Sequence, residues 1–276
     1  MRSVKLPSGN EMPVLGLGTW RMGEDERERG READALRYGL DLGFTLIDTA
    51  EMYGEGGAEE MVAEAIRGRR DQVTIVSKVY PYNASRRAAI EACARSLTRL
   101  NTDYIDVYLL HWPGSVPLEE TFAVFQDLRE AGKIRDFGVS NFDLDLMQEA
   151  RQSDGGLTAT NQIYYNLAQR NAEWALLPWM RKQRIPAMAY SPFDQGRMLG
   201  DPALVAVAER HGATAAQVAL AWLLEQEAMV AIPKSSSQER VKENHGALDL
   251  ALTDEDREAL DAAFPPPSHA APIEII

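Results

Sequence analysis

Eight short apolar runs recur along the chain, and each ends in a polar group. They are Val14–Gly18, Thr45–Asp48, Thr74–Lys78, Asp106–His111, Phe137–Asn141, Ala159–Gln162, Ala187–Ser191 and Val230–Ser235. Stretches with helical periodicity follow them, over about 31–42, 58–67, 85–99, 117–131, 143–152, 173–183, 202–211 and 214–227. This alternation of strand and helix specifies parallel pairing, and eight such units predict an α/β fold, a (β/α)8 TIM barrel. In that architecture the strand interiors are core and only their carboxyl ends open onto the catalytic face. The polar groups that close the runs therefore converge on one site.

Turn chemistry adds boundaries. Ser8-Gly9-Asn10 between two extended runs predicts a β-hairpin ahead of the barrel, placed to cap its bottom. Gly43, Gly132 and Gly212 follow helical stretches where a left-handed cap residue is needed. Thr214 and Thr253 read as N-caps, and a last helix over about 254–263 stops at Pro265-Pro266-Pro267. The short C-terminal segment from Ser268 to Ile276 is either a cover for part of the site or a loose tail, and the residues do not choose between these.

A chain of 276 residues is long for an ordinary domain, but a (β/α)8 barrel needs roughly 250. We therefore expect residues 1–276 to form one domain. The composition, 45% hydrophobic and 26% charged, is that of a soluble globular protein with a sizeable core. A net charge of −13 excludes nucleic acid and anionic membrane as partners, so any bound anion must be held locally. Cys93, the single cysteine, allows no intramolecular disulfide and reads as a buried spacer on a helix; no metal ligand set is apparent. The amino terminus is too polar for a signal peptide and no run approaches a membrane span, so the expected location is the cytoplasm.

Four of the polar groups suggest chemistry. Asp48 and Lys78 close neighbouring strands, and because an isolated buried charge is costly they should pair. Tyr53, five residues beyond Asp48, reaches the same pocket, and a neighbouring ammonium should lower its pKa and make it a general acid. His111, at the end of the fourth run, would orient a carbonyl toward that acid. Taken singly, each has a plain alternative: a structural ion pair, a packing aromatic, a satisfied polar residue beside Trp112. Their joint appearance at successive strand ends argues for a site.

Gly18-Thr19-Trp20, Leu46-Ile47-Asp48-Thr49-Ala50-Glu51-Met52-Tyr53-Gly54, Val76-Ser77-Lys78 and Leu109-Leu110-His111-Trp112-Pro113 together resemble the aldo-keto reductase family, in particular its short-loop bacterial methylglyoxal and aldehyde reductases. The resemblance continues through Gly132-Lys133-Ile134-Arg135, Gly138-Val139-Ser140-Asn141-Phe142, Asn161-Gln162, Ala189-Tyr190-Ser191-Pro192 and Ile232-Pro233-Lys234-Ser235. It implies a catalytic tetrad of Asp48, Tyr53, Lys78 and His111, and NADPH-dependent reduction of aldehydes and reactive ketones by a monomer, with NADH as a second donor. No Gly-x-Gly-x-x-Gly opens a helix after a strand, so the cofactor cannot rest on a Rossmann unit. The resemblance implies instead an extended site in which Tyr190 stacks on the nicotinamide and Ser140, Asn141 and Gln162 hold its carboxamide. Gly18, Thr19, Trp20, Asp48 and Ser191 belong to the same implied set. Lys234, Ser235 and Arg240 supply two cations and a hydroxyl suited to a 2′-phosphate, although a solvated helix start would look alike. Glu243 and Asn244 match the adenine-holding positions.

Two departures from the family pattern bear on substrate. Glu55-Gly56-Gly57-Ala58 is glycine-rich, implying a mobile loop after Tyr53, and the segments after His111 and at the C-terminus are short, implying a shallow, open pocket. Two other functions share the fold: a Schiff-base aldolase using Lys78 or Lys234, and a cofactor-sensing binding module.

Overall fold

The computed structural model describes residues 1–276. A two-stranded hairpin, β1 (Ser3–Lys5) and β2 (Glu11–Pro13), precedes eight parallel strands: β3 (Leu17–Gly18), β4 (Leu46–Asp48), β5 (Thr74–Val79), β6 (Ile105–Leu110), β7 (Ile134–Ser140), β8 (Asn161–Tyr164), β9 (Ala187–Tyr190) and β10 (Met229–Ala231). They lie in sequence order from β3 to β10. Parallel bridges from Leu15 to Ala231 and from Gly18 to Lys234 join the first strand to the last and close the barrel. Gly18 sits at that seam because a Cβ there would come within 2.7 Å of the Ile232 carbonyl oxygen.

The expected bottom cap is present. Leu6 and Met12 pack with Leu46, Val76, Val107, Leu109 and other inward-facing strand residues, and Asn10 donates from Nδ2 to Asp136 on β7 at 2.7 Å. Around the barrel run α1 (Arg29–Asp41), α2 (Gly57–Ala65), α3 (Arg86–Leu100), α4 (Leu118–Glu130), α5 (Leu144–Ser153), α6 (Leu176–Gln183), α7 (Pro202–Arg210), α8 (Ala215–Glu225), α9 (Gln238–Gly246) and α10 (Asp254–Ala263). Their inner faces and the outer faces of the strands form the larger core. Thr214 and Thr253 both close capping boxes, and Gly43, Gly132 and Gly212 all have positive φ, as the helix stops required. Cys93 is buried on α3, and burial pushes its thiol up to about 12.

Three expectations need correction. The Val14–Gly18 and Val230–Ser235 runs form only two- and three-residue ladders, the second interrupted by Pro233, which has no N–H to donate. The Ala159–Gln162 strand lies further along, at Asn161–Tyr164, in register with Ala187–Tyr190. Helix α9 is legible in the sequence only as a helix start, because it buries only Val241 and Asn244 and so carries almost no apolar periodicity.

Candidate active site

The carboxyl end of the barrel opens into a cleft of about 870 Å³. At its centre, Lys78 is fully buried and its ammonium donates to Asp48 Oδ2 at 2.8 Å, to the Thr49 carbonyl at 2.9 Å and to the Tyr53 hydroxyl at 3.2 Å. All three donor hydrogens of the ammonium are thus engaged. The register of β4 beside β5 brings the two charges together. A 3-10 turn at Tyr53–Gly56 returns the tyrosine over them. Gly57 and Gly54, at this turn, are held against the backbone of Met22 and Gly23 in the neighbouring loop: Cβ atoms there would approach the Gly23 carbonyl oxygen to 2.6 Å and the Met22 carbonyl oxygen to 2.9 Å. Close packing, joined at Gly54 by a φ of 56°, accounts for these glycines.

Electrostatics depart from the simplest expectation at Tyr53. Burial raises its pKa above the ordinary value of 10, Lys78 pulling against the rise and Asp48 adding to it. The ammonium lowers the phenol less than expected because its charge is shared with a carboxylate 2.8 Å away. Burial also works to lower Lys78, but Asp48 and Tyr53 outweigh it and keep the group cationic. Burial pushes Asp48 up against the pull of Lys78 and of Gln162, whose Nε2 donates to Asp48 Oδ1 at 2.7 Å.

His111 follows β6 and sets its ring edge-on to Tyr53, with centroids 5.7 Å apart. Burial, helped by the charge of Lys78, drives its pKa down to about 2, so the imidazole is neutral. Its Nδ1 is buried without a hydrogen-bond partner. The pH dependence follows in sign. A histidine depressed this far gains no proton between pH 6.5 and about 2, and a tyrosine raised above 10 keeps its proton through neutrality. Carbonyl reduction should therefore have a kcat/KM without an inflection near pH 6.5 and a decline only above pH 10; a neutral-pH inflection would mean that His111 titrates. Stability should fall as pH drops below 6.5, where the unfolded chain binds a proton that folded His111 refuses.

Beyond the tetrad, the Tyr190 hydroxyl donates to Asn141 Oδ1 at 2.8 Å, while Asn141 Nδ2 donates to the His111 carbonyl at 3.1 Å and Ser140 Oγ to the Gln162 carbonyl at 2.9 Å. Ser140, Asn141, Gln162, Tyr190 and Ser191 line the cleft together. So do Gly18 and Trp20, but Thr19 does not: its hydroxyl is buried on the Asp48 carbonyl at 2.9 Å, behind the wall. Lys234, Ser235, Arg240, Glu243 and Asn244 line the far end. Helix α9, hidden from the sequence pattern, puts Arg240, Glu243 and Asn244 at i, i+3 and i+4 on one face. Lys234 is lowered by burial and stands near Glu32, Arg31, Glu24 and Arg21. The cleft thus offers an aromatic ring with amide and hydroxyl groups at one end and cations at the other, a donor set that fits a phosphorylated nicotinamide dinucleotide.

Sequence reasoning named Gln162 only for the carboxamide and left the tail undecided. Gln162 orients Asp48, a link between residues 114 apart that no local pattern signals. The C-terminal tail, on which the residues alone do not decide, reaches the cleft: Asn171 holds the Pro272 carbonyl at 2.9 Å, Ile273 packs on the core, and Ile275 and Ile276 line the opening with Met52 and Trp112. These apolar side chains give the pocket more wall than its short loops implied.

Comparison with known proteins agrees with this geometry. The Aldo/keto reductase family model matches residues 14–264. The chain is 48% identical to the methylglyoxal reductase YeaE of Escherichia coli K12, covering 96% of this chain and 95% of that one. It is 35% identical to a glyoxal reductase of Bacillus subtilis, over 94% and 92% of the two chains. A crystal structure of an aldo/keto reductase from Klebsiella pneumoniae, in complex with NADP and acetate, superposes with a TM-score of 0.97 at 46% identity and 99% coverage of both chains. With the family model spanning most of its length and the barrel shared with a relative of nearly equal size, this chain belongs to the aldo/keto reductase family.

Proposed function

We propose that this protein is an NADPH-dependent reductase of small aldehydes and reactive ketones, 1,2-dicarbonyls among them. One observation carries the reading: the Tyr53 hydroxyl, 3.2 Å from a buried ammonium that is itself paired with Asp48, faces a cleft whose far end holds Lys234, Ser235 and Arg240. NADPH, when bound, supplies a hydride from its nicotinamide C4. The neutral His111 holds the substrate carbonyl by a hydrogen bond and orients it toward Tyr53. Tyr53, protonated at neutral pH, gives its proton to the carbonyl oxygen as that oxygen gains charge. Lys78 stabilises the phenolate left behind, and Asp48, fixed by Gln162, keeps the lysine charged and in place. Tyr190 and the Ser140, Asn141 and Gln162 groups suit a flat polar ring; Lys234, Ser235 and Arg240 suit a 2′-phosphate.

The relatives that reduce methylglyoxal and glyoxal support a small carbonyl as substrate, as do the apolar side chains of Met52, Trp112, Ile275 and Ile276 on the cleft wall. An aldolase role for Lys78 is disfavoured because a Schiff base needs a free amine, and Lys78 is held as an ammonium by three acceptors. One family model spans residues 14–264, which supports one domain; the proposal takes it as a monomer in the cytoplasm. Gel filtration and cell fractionation check these two statements.

The test follows loss of nicotinamide absorbance for methylglyoxal, an activated benzaldehyde, a bulky steroid ketone and an open-chain hexose, with NADPH and with NADH. The two small carbonyls should give the highest kcat/KM with NADPH; preference for the steroid or the sugar overturns the substrate reading. In the same assays Lys234→Ala and Arg240→Ala should each weaken NADPH on the order of 10- to 100-fold and NADH little, since each removes a charged hydrogen bond that only the 2′-phosphate uses. Equal weakening of both cofactors in a fluorescence titration would take the 2′-phosphate away from these residues.

A further inference from the structure

Glu51 is a buried carboxylate that the proton-transfer step does not use. It is 7% exposed and does not line the cleft. Its ion-pair partner, Arg95 on α3, stands 3.7 Å away and is itself half exposed. So loose a pair does little to offset the cost of taking a carboxylate out of water. What compensates is a pair of hydrogen bonds from the loop after β5: Glu51 Oε1 accepts the Tyr80 N–H at 2.8 Å and Asn83 Nδ2 at 3.0 Å. The backbone of Glu51 reaches the same strand end, its N–H donating to the Lys78 carbonyl at 3.3 Å.

The place of Glu51 in the chain gives this tie its consequence. It lies between Asp48 and Tyr53, in the turn where the Ala50 carbonyl accepts the Tyr53 N–H at 3.1 Å, whereas Tyr80 and Asn83 follow Lys78. One side chain therefore joins the loop that carries the proton donor to the segment that leaves the lysine's strand. The loop after β6 rests on that segment in turn. The His111 N–H donates to the Val79 carbonyl at 3.0 Å, the Tyr80 ring stands edge-on to Trp112 with centroids 5.6 Å apart, and a Cβ on Gly114 would come within 2.6 Å of Pro81. Trp112 packs on the His111 ring, with centroids 4.9 Å apart. Glu51 thus binds two of the segments that present Tyr53, Lys78 and His111, and through Tyr80 it bears on the third.

We propose that Glu51 is a positioning residue for carbonyl reduction: by holding Tyr80 and Asn83 it sets the Tyr53 hydroxyl against the Lys78 ammonium and His111 beside both. This rests on the proposed reductase function. The hydroxyl and the ammonium are 3.2 Å apart, and a displacement of about 1 Å in a reacting group costs on the order of 10²-fold in rate. None of the side-chain hydrogen bonds of Glu51 reaches the far end of the cleft at Lys234, Ser235 and Arg240, so its loss acts on turnover rather than on cofactor affinity.

Glu51→Ala deletes the acceptor, whereas Glu51→Gln keeps an Oε1 for the same two donors and removes only the charge. With methylglyoxal and NADPH, Glu51→Ala should lower kcat on the order of 10²-fold and leave NADPH affinity unchanged in a fluorescence titration. Glu51→Gln should recover most of that loss. Asn83→Ala cuts the tie from its other side and should lower kcat by a smaller factor, adding nothing on top of Glu51→Ala because both break one contact. Amide hydrogen exchange over residues 79–84, measured on the whole protein without ligand, should speed in Glu51→Ala and stay slow in Glu51→Gln. Unchanged kcat or unchanged exchange in Glu51→Ala overturns the inference. So does a Glu51→Gln variant as slow as Glu51→Ala, and so does a loss of NADPH affinity that matches the loss of kcat with exchange raised throughout the chain. If Glu51→Ala does not fold, Asn83→Ala must still lower kcat and Glu51→Gln must still turn over, or the proposal falls. Should the wild-type protein reduce no carbonyl, the reductase reading falls and the positioning role with it, while exchange over residues 79–84 still decides whether Glu51 holds the loop.

Discussion

Tyr53→Phe is expected to fold normally, bind NADPH as the wild type does, and lose roughly 10²- to 10⁴-fold in kcat, the usual worth of a positioned general acid. The substitution removes one oxygen. The ring remains, with the Lys78 ammonium 4.7 Å from its centroid and His111 edge-on to it. Lys78 also keeps two of its three acceptors, Asp48 Oδ2 and the Thr49 carbonyl. Nothing that secures the fold or the far end of the cleft is touched, so cofactor titration and thermal melting serve as controls. Because burial raises the Tyr53 pKa, the wild-type group enters the reaction protonated, and its removal leaves no other acid at that position: His111 is neutral and Lys78 is enclosed. Turnover within a few-fold of wild type, at unchanged cofactor affinity, would remove Tyr53 from the mechanism.

Lys78→Met should damage both stability and turnover, and the two losses separate. Deleting the ammonium leaves Asp48, 2% exposed, with Gln162 as its remaining side-chain partner. Breaking a buried pair on one side costs about 3 to 5 kcal/mol, which for a domain of this size lowers Tm by roughly 6 to 20 °C. The deficit depends on pH with a definite sign. Without Lys78 the Asp48 carboxyl loses its main downward pull and rises further above 3.8. The folded variant then holds a proton that the unfolded chain releases, so its stability falls as pH increases from about 4 toward neutrality. Differential melting against wild type at about pH 5 and about pH 8 reads this directly. Adding Asp48→Asn removes the orphaned charge and should restore most of the stability while turnover stays low, since the group that stabilises the Tyr53 phenolate is still missing. Recovery of activity in the double variant would reduce the Asp48–Lys78 pair to a structural role.

Some of the site was readable because strand ends are local signals. Asp48 and Lys78 each close an apolar run, and in a parallel barrel that alone places them at the same rim. Tyr53 and His111 follow from the same rule and from chain reach. The far end was readable in composition and in the family resemblance: Lys234 and Arg240 stood out as cations in an acidic chain and Glu243 and Asn244 matched a motif, but the helix that aligns Arg240 with them has too few apolar residues to announce itself. Thr19 shows the converse. Its place in a motif suggested a cofactor contact, yet its hydroxyl is spent on the Asp48 carbonyl.

The amino-acid pattern by itself determined the barrel, its hairpin cap, its helix stops and the four groups at its centre, because hydrophobic period, turn chemistry and the handed connections of parallel strands act over short stretches of chain. Only the tertiary structure decided that Tyr53 is raised rather than lowered, that Gln162 steadies Asp48, that Glu51 reaches the Tyr80 N–H, and that the tail returns to the cleft. Each of these depends on distance and burial between residues far apart in sequence, 114 positions for Gln162 and Asp48 and 101 for Asn171 and Pro272. Electrostatic fields and hydrogen bonds respond to separations of a few ångströms, which no local pattern specifies.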